Sequence, residues 1–366
     1  MKILILGTVP NDLLNFRSDL IKDFKKKGHD VIASSSALDS NSAIHMKKLG
    51  ISYEEIFLNR HGLNIVGDIR TLFNLLKLQA EQNPNLVLAH GIKLVIWGGI
   101  SARIRNIPFF ALITGLGFAF QGKSFKRKLL TKLVTFLYKI ALKNSQAVIF
   151  QNKDNRDLFI EKGIVNPSKT HIVNGSGVDT KKFYFIKQPK TDVSFLLVSR
   201  LLGEKGIREY AAAAKIVKEK FPKIKFELVG SEDASLDAIP IEEVNSWSNY
   251  VDYKGSTSDV RPYIEKCHVY VLPSYHEGLP RSTLEAMSMG RPVITTDAVG
   301  CKDTVDEPLN GFKVPVGSSK ELAEKMIWFI ENKDKIHEMG SESRIIVEKK
   351  FDVRSVNQDM LRIMGI

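Results

Sequence analysis

Short apolar runs alternate with amphipathic stretches of helical period along most of this 366-residue chain. Few features restrict a fold as strongly. Strand and helix in strict alternation predict βαβ units, parallel sheets and an α/β class. Strands are expected at 2–7, 31–34, 51–56, 86–89, 109–114, 147–151 and 170–173. Helices are expected at 15–27, 43–49, 69–82, 94–104, 122–143 and 155–162. The polar, glycine-bearing stretch NGSGVDTKKF (174–183) then reads as a boundary. A second series follows, with strands at 195–199, 225–229, 251–254, 269–272 and 293–296. Its helices are expected at 207–220, 241–245, 260–267, 281–289 and 319–332, while the pattern past Lys333 places no helix clearly. The length suits two domains, each able to bury its own core. Their spans are 1–178 and 190–345.

Composition removes several classes. Cys267 and Cys301 are the only cysteines, so no disulfide framework is implied and a reducing compartment fits. No run of 18 apolar residues is free of charge, so no spanning helix is expected. MKILILGTVPND reads as a buried first strand, its apolar run being too short for a signal peptide.

The net charge of +12 is unevenly spread. Residues 1–183 carry 27 Lys and Arg against 13 Asp and Glu, and the remainder carries 26 against 28. Between Glu81 and Asp154 there is no acid, but eleven basic residues. Nucleic acid, an anionic membrane and an anionic lipid-linked substrate all suit such a surface. Recognition helices and interleaved aromatic platforms are missing, so nucleic acid is not the expected partner. In GKSFKRKLLTKLVTFLYKIALK (122–143), apolar residues recur at helical spacing and the bases gather at the start. Lys123, Phe125, Lys126, Arg127, Lys128 and Lys132 make a candidate contact with an anionic inner membrane surface. An ordinary packed helix with a basic outer face is the other reading. Leu129, Leu133 and Phe136 either meet lipid or pack on the core.

The stretch VYVLPSYHEGLPRSTLEAMSMGRPVITTD (269–297) carries chemistry. An apolar strand turns at Pro273, opens a loop holding Glu277 and Gly278, and leads into a helix that carries Glu285. In an open parallel sheet, ligands bind beyond the carboxyl ends of strands. Helix N–H groups there attract phosphate, and nearby carboxylates accept hydrogen bonds from hydroxyls. The combination suits a nucleotide-sugar. Arg200, at the end of FLLVSR, and Lys205, in the following loop, can together pair with a diphosphate. They would stabilise it as a leaving group. No Asp-x-Asp after a strand and no His/Cys cluster appears, so no metal and no cofactor is expected. The first strand-to-helix loop lacks GxGxxG, which argues against a dinucleotide fold.

On these residues the chain resembles the retaining GT-B glycosyltransferases of family 4. The resemblance rests on SRLLGEKG (199–206), LVG (228–230), YKGSTSDV (253–260), LPSYHEGLPRSTLE (272–285) and GFKV (311–314). It implies two Rossmann-like doubly wound domains facing each other across a cleft. A C-terminal helix, about 349–366, would cross back to the first domain. It makes Arg200, Lys205 and Glu277 the catalytic set, Glu277 contacting the donor sugar and Glu285 the ribose. Gly278, Leu279 and Pro280 would approach the phosphates, as would the loop 7–14 that opens with Gly7. Gly230, Ser231, Lys254 and Gly255 would line the nucleobase slot.

Many family members carry a His in the loop after the strand at 109–114. Here that loop reads Thr114-Gly115-Leu116-Gly117-Phe118. This pattern resembles a subgroup acting on polyprenyl-diphosphate-linked sugars. His90, Thr114 and Gly115 are therefore candidate acceptor-site residues. The resemblance implies transfer from a UDP-sugar, best N-acetylgalactosamine or a related hexose, to a sugar on undecaprenyl diphosphate. Such steps build O-antigen, capsule or glycoprotein glycans at the cytoplasmic face of the inner membrane. A UDP-N-acetylglucosamine 2-epimerase, which shares the fold and needs no acceptor, is the alternative enzyme. A basic nucleic-acid-binding protein is the alternative outside enzymes.

Overall fold

The computed structural model describes residues 1–59, 64–116, 125–235 and 237–366, with only the backbone for 125–127. The chain divides into two compact units. One comprises Met1–Ser176 and Val356–Ile366, and the other Gly177–Ser355.

The first unit runs β1 (Lys2–Leu6), α1 (Pro10–Lys26), β2 (Asp30–Ser35), α2 (Ser40–Lys48), β3 (Ser52–Glu55), α3 (Ile65–Gln82) and β4 (Leu86–His90). It continues through α4 (Ile92–Ile104), β5 (Phe109–Ile113), α5 (Phe125–Leu142), β6 (Ala147–Phe150), α6 (Lys153–Glu161) and β7 (Thr170–Ile172). All the strands are parallel, in the order β3-β2-β1-β4-β5-β6-β7. Strands β4 and β5 are buried along their whole length, because helices cover both faces of the sheet. One face packs against Leu75, Leu94, Val134 and Tyr138 of α3, α4 and α5. The other packs against Leu20 and Phe24 of α1 and against Val356, Met360 and Leu361.

Helix α1 begins at Pro10, five residues before the expected start at Asn15. Proline suits a first helical turn, where its missing N–H has no partner to lose. The first loop is thereby shortened to Gly7–Val9, and the expected loop 7–14 is mostly helix. Asn64 and Asn152 cap α3 and α6 by accepting the N–H of Gly67 and Asn155.

The second unit runs β8 (Ser194–Val198), α7 (Ile207–Lys220), β9 (Lys225–Val229), α8 (Ile241–Ser246), β10 (Asp252–Tyr253), α9 (Arg261–Lys266) and β11 (Val269–Leu272). It closes with α10 (Arg281–Ser288), β12 (Val293–Thr296), β13 (Gly311–Val314), α11 (Ser319–Glu331) and α12 (Lys333–Ile346). The parallel strand order is β10-β9-β8-β11-β12-β13. Strand β13 adds to the expected series; its sequence GFKV opens on glycine and is interrupted by Lys313, so it carries no continuous apolar run, and it pairs with β12. There Gly311 comes so close to Val293 that a Cβ would sit 1.8 Å from the Val293 carbonyl oxygen.

The segment 174–183 is not a loose tether throughout. Val178 is fully buried and bridges to Asp352, and Thr180 donates to the Asp352 carboxylate at 2.6 Å. Helix α13 (Val353–Met364) carries the chain back into the first unit. Asn357 there donates to Asp23 of α1 at 2.8 Å, and Lys27 donates to the Ile366 carbonyl at 3.2 Å.

Arg291 is fully buried at the start of β12. Its guanidinium donates to the carbonyls of Ile264 (2.9 Å), Ile186 (2.9 Å) and Glu265 (3.1 Å). Three chain segments are joined by one side chain. Arg291→Met fills much of the space but leaves those carbonyls unmatched. The expected cost is about 3 kcal/mol, read as a lower urea midpoint for the unit spanning 177–355.

Candidate active site

Strand order in the second unit reverses between β8 and β11. The loops leaving the carboxyl ends of these neighbours part there, and the opening between them is where such sheets hold ligands. Arg200 and Lys205 stand on the loop after β8, and Glu277 to Pro280 on the loop after β11.

These loops are tied together. Ser274 donates its hydroxyl to the Glu204 carbonyl (3.0 Å), and the Tyr275 N–H donates to the same oxygen (2.8 Å). Gly206, at φ 72°, faces the Pro273 carbonyl so closely that a Cβ would lie 2.0 Å from its oxygen. Only glycine meets both demands. The result brings Lys205 Nζ to 2.7 Å from Glu277 Oε1, with both side chains largely buried. Burial alone would lower the Lys205 pKa, but the charges and hydrogen bond of Glu277 and the charge of Glu204 outweigh it and raise the pKa. The lysine is therefore a fixed cation. Behind Glu277, its N–H donates to Val299 O at 2.9 Å, and Gly300 packs beneath the carbonyls of Glu277 and Gly278.

Arg200 pairs with Asp233, Nη1 to Oδ2 at 2.6 Å. Asp233 was not a sequence candidate. It lies between Glu232 and Asp237, and nothing in that run singles it out. Burial pushes the Asp233 carboxyl up, but hydrogen bonds from Ser235 and the charge of Arg200 bring it below its usual range. The arginine is mostly exposed, so this pair is a weak one.

Glu285 lies one turn into α10, within reach of Arg281 Nε at 3.1 Å. The four-residue spacing of Arg281 and Glu285 was visible in the sequence. Burial raises the Glu285 pKa, and Arg281 opposes the rise. Pro280 stands at the N-cap of α10 without a side-chain cap, and Leu279 is packed into the core. Gly230 ends β9, so near Ser199 that a Cβ would lie 1.7 Å from its carbonyl oxygen. The Gly230 N–H donates to Gly255 O at 2.9 Å, and Ser231 O accepts from the Leu201 N–H at 2.9 Å. Gly230, Ser231, Lys254 and Gly255 thus gather at the ends of β9 and β10, beside β8. Lys254 is engaged by Asp252 and, at 3.7 Å, by Glu227.

In the first unit the order reverses between β1 and β4. Gly7 follows β1, His90 ends β4, and Thr114 and Gly115 follow β5, so the fold brings all four to one sheet edge. His90 is buried, and among the described residues its Nε2 has no hydrogen-bond partner. Burial, helped by the charge of Arg17, lowers its pKa to about 3. It is a neutral imidazole there. Lys93, in the first turn of α4, pairs with Asp68 at 2.8 Å.

Helix α5 packs through Val134, Tyr138 and Leu142, leaving Leu129 (63%) and Phe136 (60%) exposed, with Leu133 also outside. The apolar residues whose direction was open therefore face outward, beside exposed Lys128 and Lys132. Lys123, Gly117 and Phe118 lie outside the described residues, as do the side chains of Phe125, Lys126 and Arg127. Among the described residues, no three His, Cys, Asp or Glu side chains gather as a metal set, and no helix is long and apolar enough to cross a membrane.

Two family profiles match the chain. "Glycosyl transferase 4-like" covers residues 2–152, and "Glycosyl transferases group 1" covers 192–332. With two Rossmann-like parallel-sheet units and these matches, the chain belongs to the GT-B glycosyltransferases of family 4. Among its relatives is the N,N'-diacetylbacillosaminyl-diphospho-undecaprenol alpha-1,3-N-acetylgalactosaminyltransferase of Campylobacter jejuni. That protein is 27% identical over 91% of this chain and 90% of its own. The UDP-Gal:alpha-D-GlcNAc-diphosphoundecaprenol alpha-1,3-galactosyltransferase of Escherichia coli is 26% identical over 74% and 73%. Anabaena Alr3699/HepE, solved in complex with UDP and glucose, shares the fold with a TM-score of 0.81 at 20% identity, covering 100% of this chain and 99% of its own.

A carboxyl group whose pKa is raised in the fold holds its proton more tightly there than in the unfolded chain. Its contribution to stability is greatest at low pH and declines as pH rises from 4.5, the ordinary value, through the raised one. Glu285→Gln removes this decline. Thermal midpoints of parent and variant, measured from pH 4 upward, should therefore diverge in the variant's favour as pH increases. Parallel curves would show that Glu285 is not held in this way.

Proposed function

We propose that the protein transfers a sugar, with retention, from a UDP-sugar to a sugar carried on undecaprenyl diphosphate. The observation that carries this reading is the pairing of Lys205 with Glu277 at the strand-order reversal of the second unit, with Arg200 alongside. A diphosphate entering that opening meets a fixed ammonium, a guanidinium that itself faces solvent, and the open N-terminus of α10. Glu277 accepts from hydroxyls of the donor sugar, and Glu285 from those of the ribose. Gly230, Ser231, Lys254 and Gly255 flank the uracil.

As the bond from C1 to the phosphate oxygen breaks, negative charge grows on the departing diphosphate, and Arg200 and Lys205 stabilise it. The acceptor oxygen bonds to C1 on the same face, and its proton passes to the departing phosphate oxygen. His90, neutral and buried, is a hydrogen-bonding wall of the acceptor side, beside Thr114 and Gly115. No divalent cation is required in this reading, so transfer should persist in EDTA.

The acceptor class is supported by the Campylobacter jejuni and Escherichia coli relatives, which are named for undecaprenol-linked acceptors. The acid-free interval 82–153 suits such a diphosphate and an anionic membrane surface. N-acetylgalactosamine is the preferred donor sugar, with a role in cell-surface glycan assembly at the cytoplasmic face of the membrane.

The test is a panel of UDP-sugars with lipid-diphosphate-linked N-acetylglucosamine, the product read by mass. Lys205→Ala and Glu277→Ala should each lower turnover by about 10²- to 10³-fold while leaving circular dichroism unchanged. Turnover near the parent's in both variants would sink the assignment. Isomerised UDP-sugar formed without any acceptor would mark a 2-epimerase instead.

A further inference from the structure

Helix α3 exposes a row of large apolar side chains that the core does not use. Ile65 (75%), Val66 (78%) and Phe73 (64%) are the most open of them, with Ile69 between. Ile65, Ile69 and Phe73 are four residues apart, so they form one ridge over the first three turns. The ridge stands on ordered helix, since the Asn64 side chain accepts the Gly67 N–H at 2.9 Å and fixes the first turn. The opposite side of the helix is fully engaged in the core through Leu75 and Leu78.

The exposed charge that α3 itself sets beside this ridge is positive. Asp68, the acid of the first turn, is buried and neutralised by Lys93 at 2.8 Å. Glu81, the helix's other acid, lies in the last turn and faces Lys77. The exposed charge among the ridge residues is that of Arg70, whose guanidinium lies 4.3 Å over the Phe57 ring. A soluble protein partner would ordinarily present charge of both signs to be matched. Among the described residues of α3, this ridge offers apolar side chains and positive charge.

The topology sets this ridge beside the one on α5. Helices α3, α4 and α5 follow β3, β4 and β5 of a wholly parallel sheet, so all three start at its carboxyl edge. Helix α4 packs against both of the others. The first turns of α3 and α5 therefore flank α4 at the same edge, the edge that carries Gly7, His90 and Thr114.

We infer that the α3 ridge is a second foot on an anionic bilayer. It inserts Ile65, Ile69 and Phe73 into the headgroup–acyl boundary, while α5 supplies Lys128 and Lys132 to the phosphates together with its own apolar row. This rests on the membrane-surface reading of α5 given above. It adds a salt-resistant apolar component, and it seats the sheet edge near the lipid-linked acceptor.

Flotation with vesicles of phosphatidylcholine containing about one-third phosphatidylglycerol tests it, in low salt and in about 0.5 M NaCl. The full chain is compared with Ile69→Glu/Phe73→Glu and with Lys128→Glu/Lys132→Glu. The α3 variant should lose the salt-resistant binding by about tenfold, and the α5 variant should lose mainly the salt-sensitive part. Both should keep the parent's circular dichroism. Unchanged flotation of the α3 variant at both salts overturns the inference and leaves the α5 contact standing. So does a parent that is dimeric by light scattering, with a monomeric α3 variant that floats as well as the parent. A parent that does not float overturns both contacts, whereas transfer to a water-soluble short-chain acceptor still reports on the enzyme itself.

Discussion

Parallel pairing is the constraint from which the architecture follows. A parallel ladder cannot be closed by a tight turn, so every connection must travel back across a face of the sheet. Those crossovers become the covering helices, and both faces are buried. The sheet then has one place where adjacent strands send their connections to opposite faces. In the second unit that place lies between β8 and β11. The residues that meet there are distant in sequence, which is how Lys205 comes to face Glu277, 72 positions further along the chain.

The cations of the site are held in two different ways, and the difference matters for ligand exchange. Lys205 and Glu277 are both mostly removed from water, so separating them would strand a buried charge at a cost of several kcal/mol. Arg200 is mostly exposed, and a pair of that kind contributes about 0–1 kcal/mol. An incoming dianion can draw the water-facing guanidinium away from Asp233, whose carboxylate keeps its hydrogen bond from the Ser235 N–H, while the ammonium stays in place and shares its hydrogen bonds. The hydrogen bonds from Ser274 and Tyr275 to Glu204 keep that ammonium positioned before any ligand arrives.

Much of this was legible beforehand. The alternation of apolar runs and helical periods gave the α/β class, and the strand-loop-helix around Glu277 placed two carboxylates at a sheet's carboxyl edge. What was not legible depended on partners distant in sequence. Strand β13 has four residues and is defined by its pairing with β12, not by its own period. Helix α1 starts five residues before the expected Asn15, with Pro10 in the first turn, where a proline loses no hydrogen bond. Asp233 carries no local signal, and neither does the choice of Glu204 as the carbonyl that receives Ser274 and Tyr275. The exposure of Leu129 and Phe136 could not be read from α5 alone, because an amphipathic period says which residues share a face and not how wide the buried stripe is.

The first unit is not continuous in sequence. Its residues 1–176 are joined by 356–366, and between them the chain makes the whole of the other unit. Val356, Met360, Leu361 and Met364 cover apolar surface formed by Phe24, Leu20 and the sheet. During synthesis that surface stays bare until some 180 further residues have been added. The later-made unit can thus be finished before the earlier one is. A lesion confined to the last turns of α13 would injure the half of the molecule whose other residues were translated first.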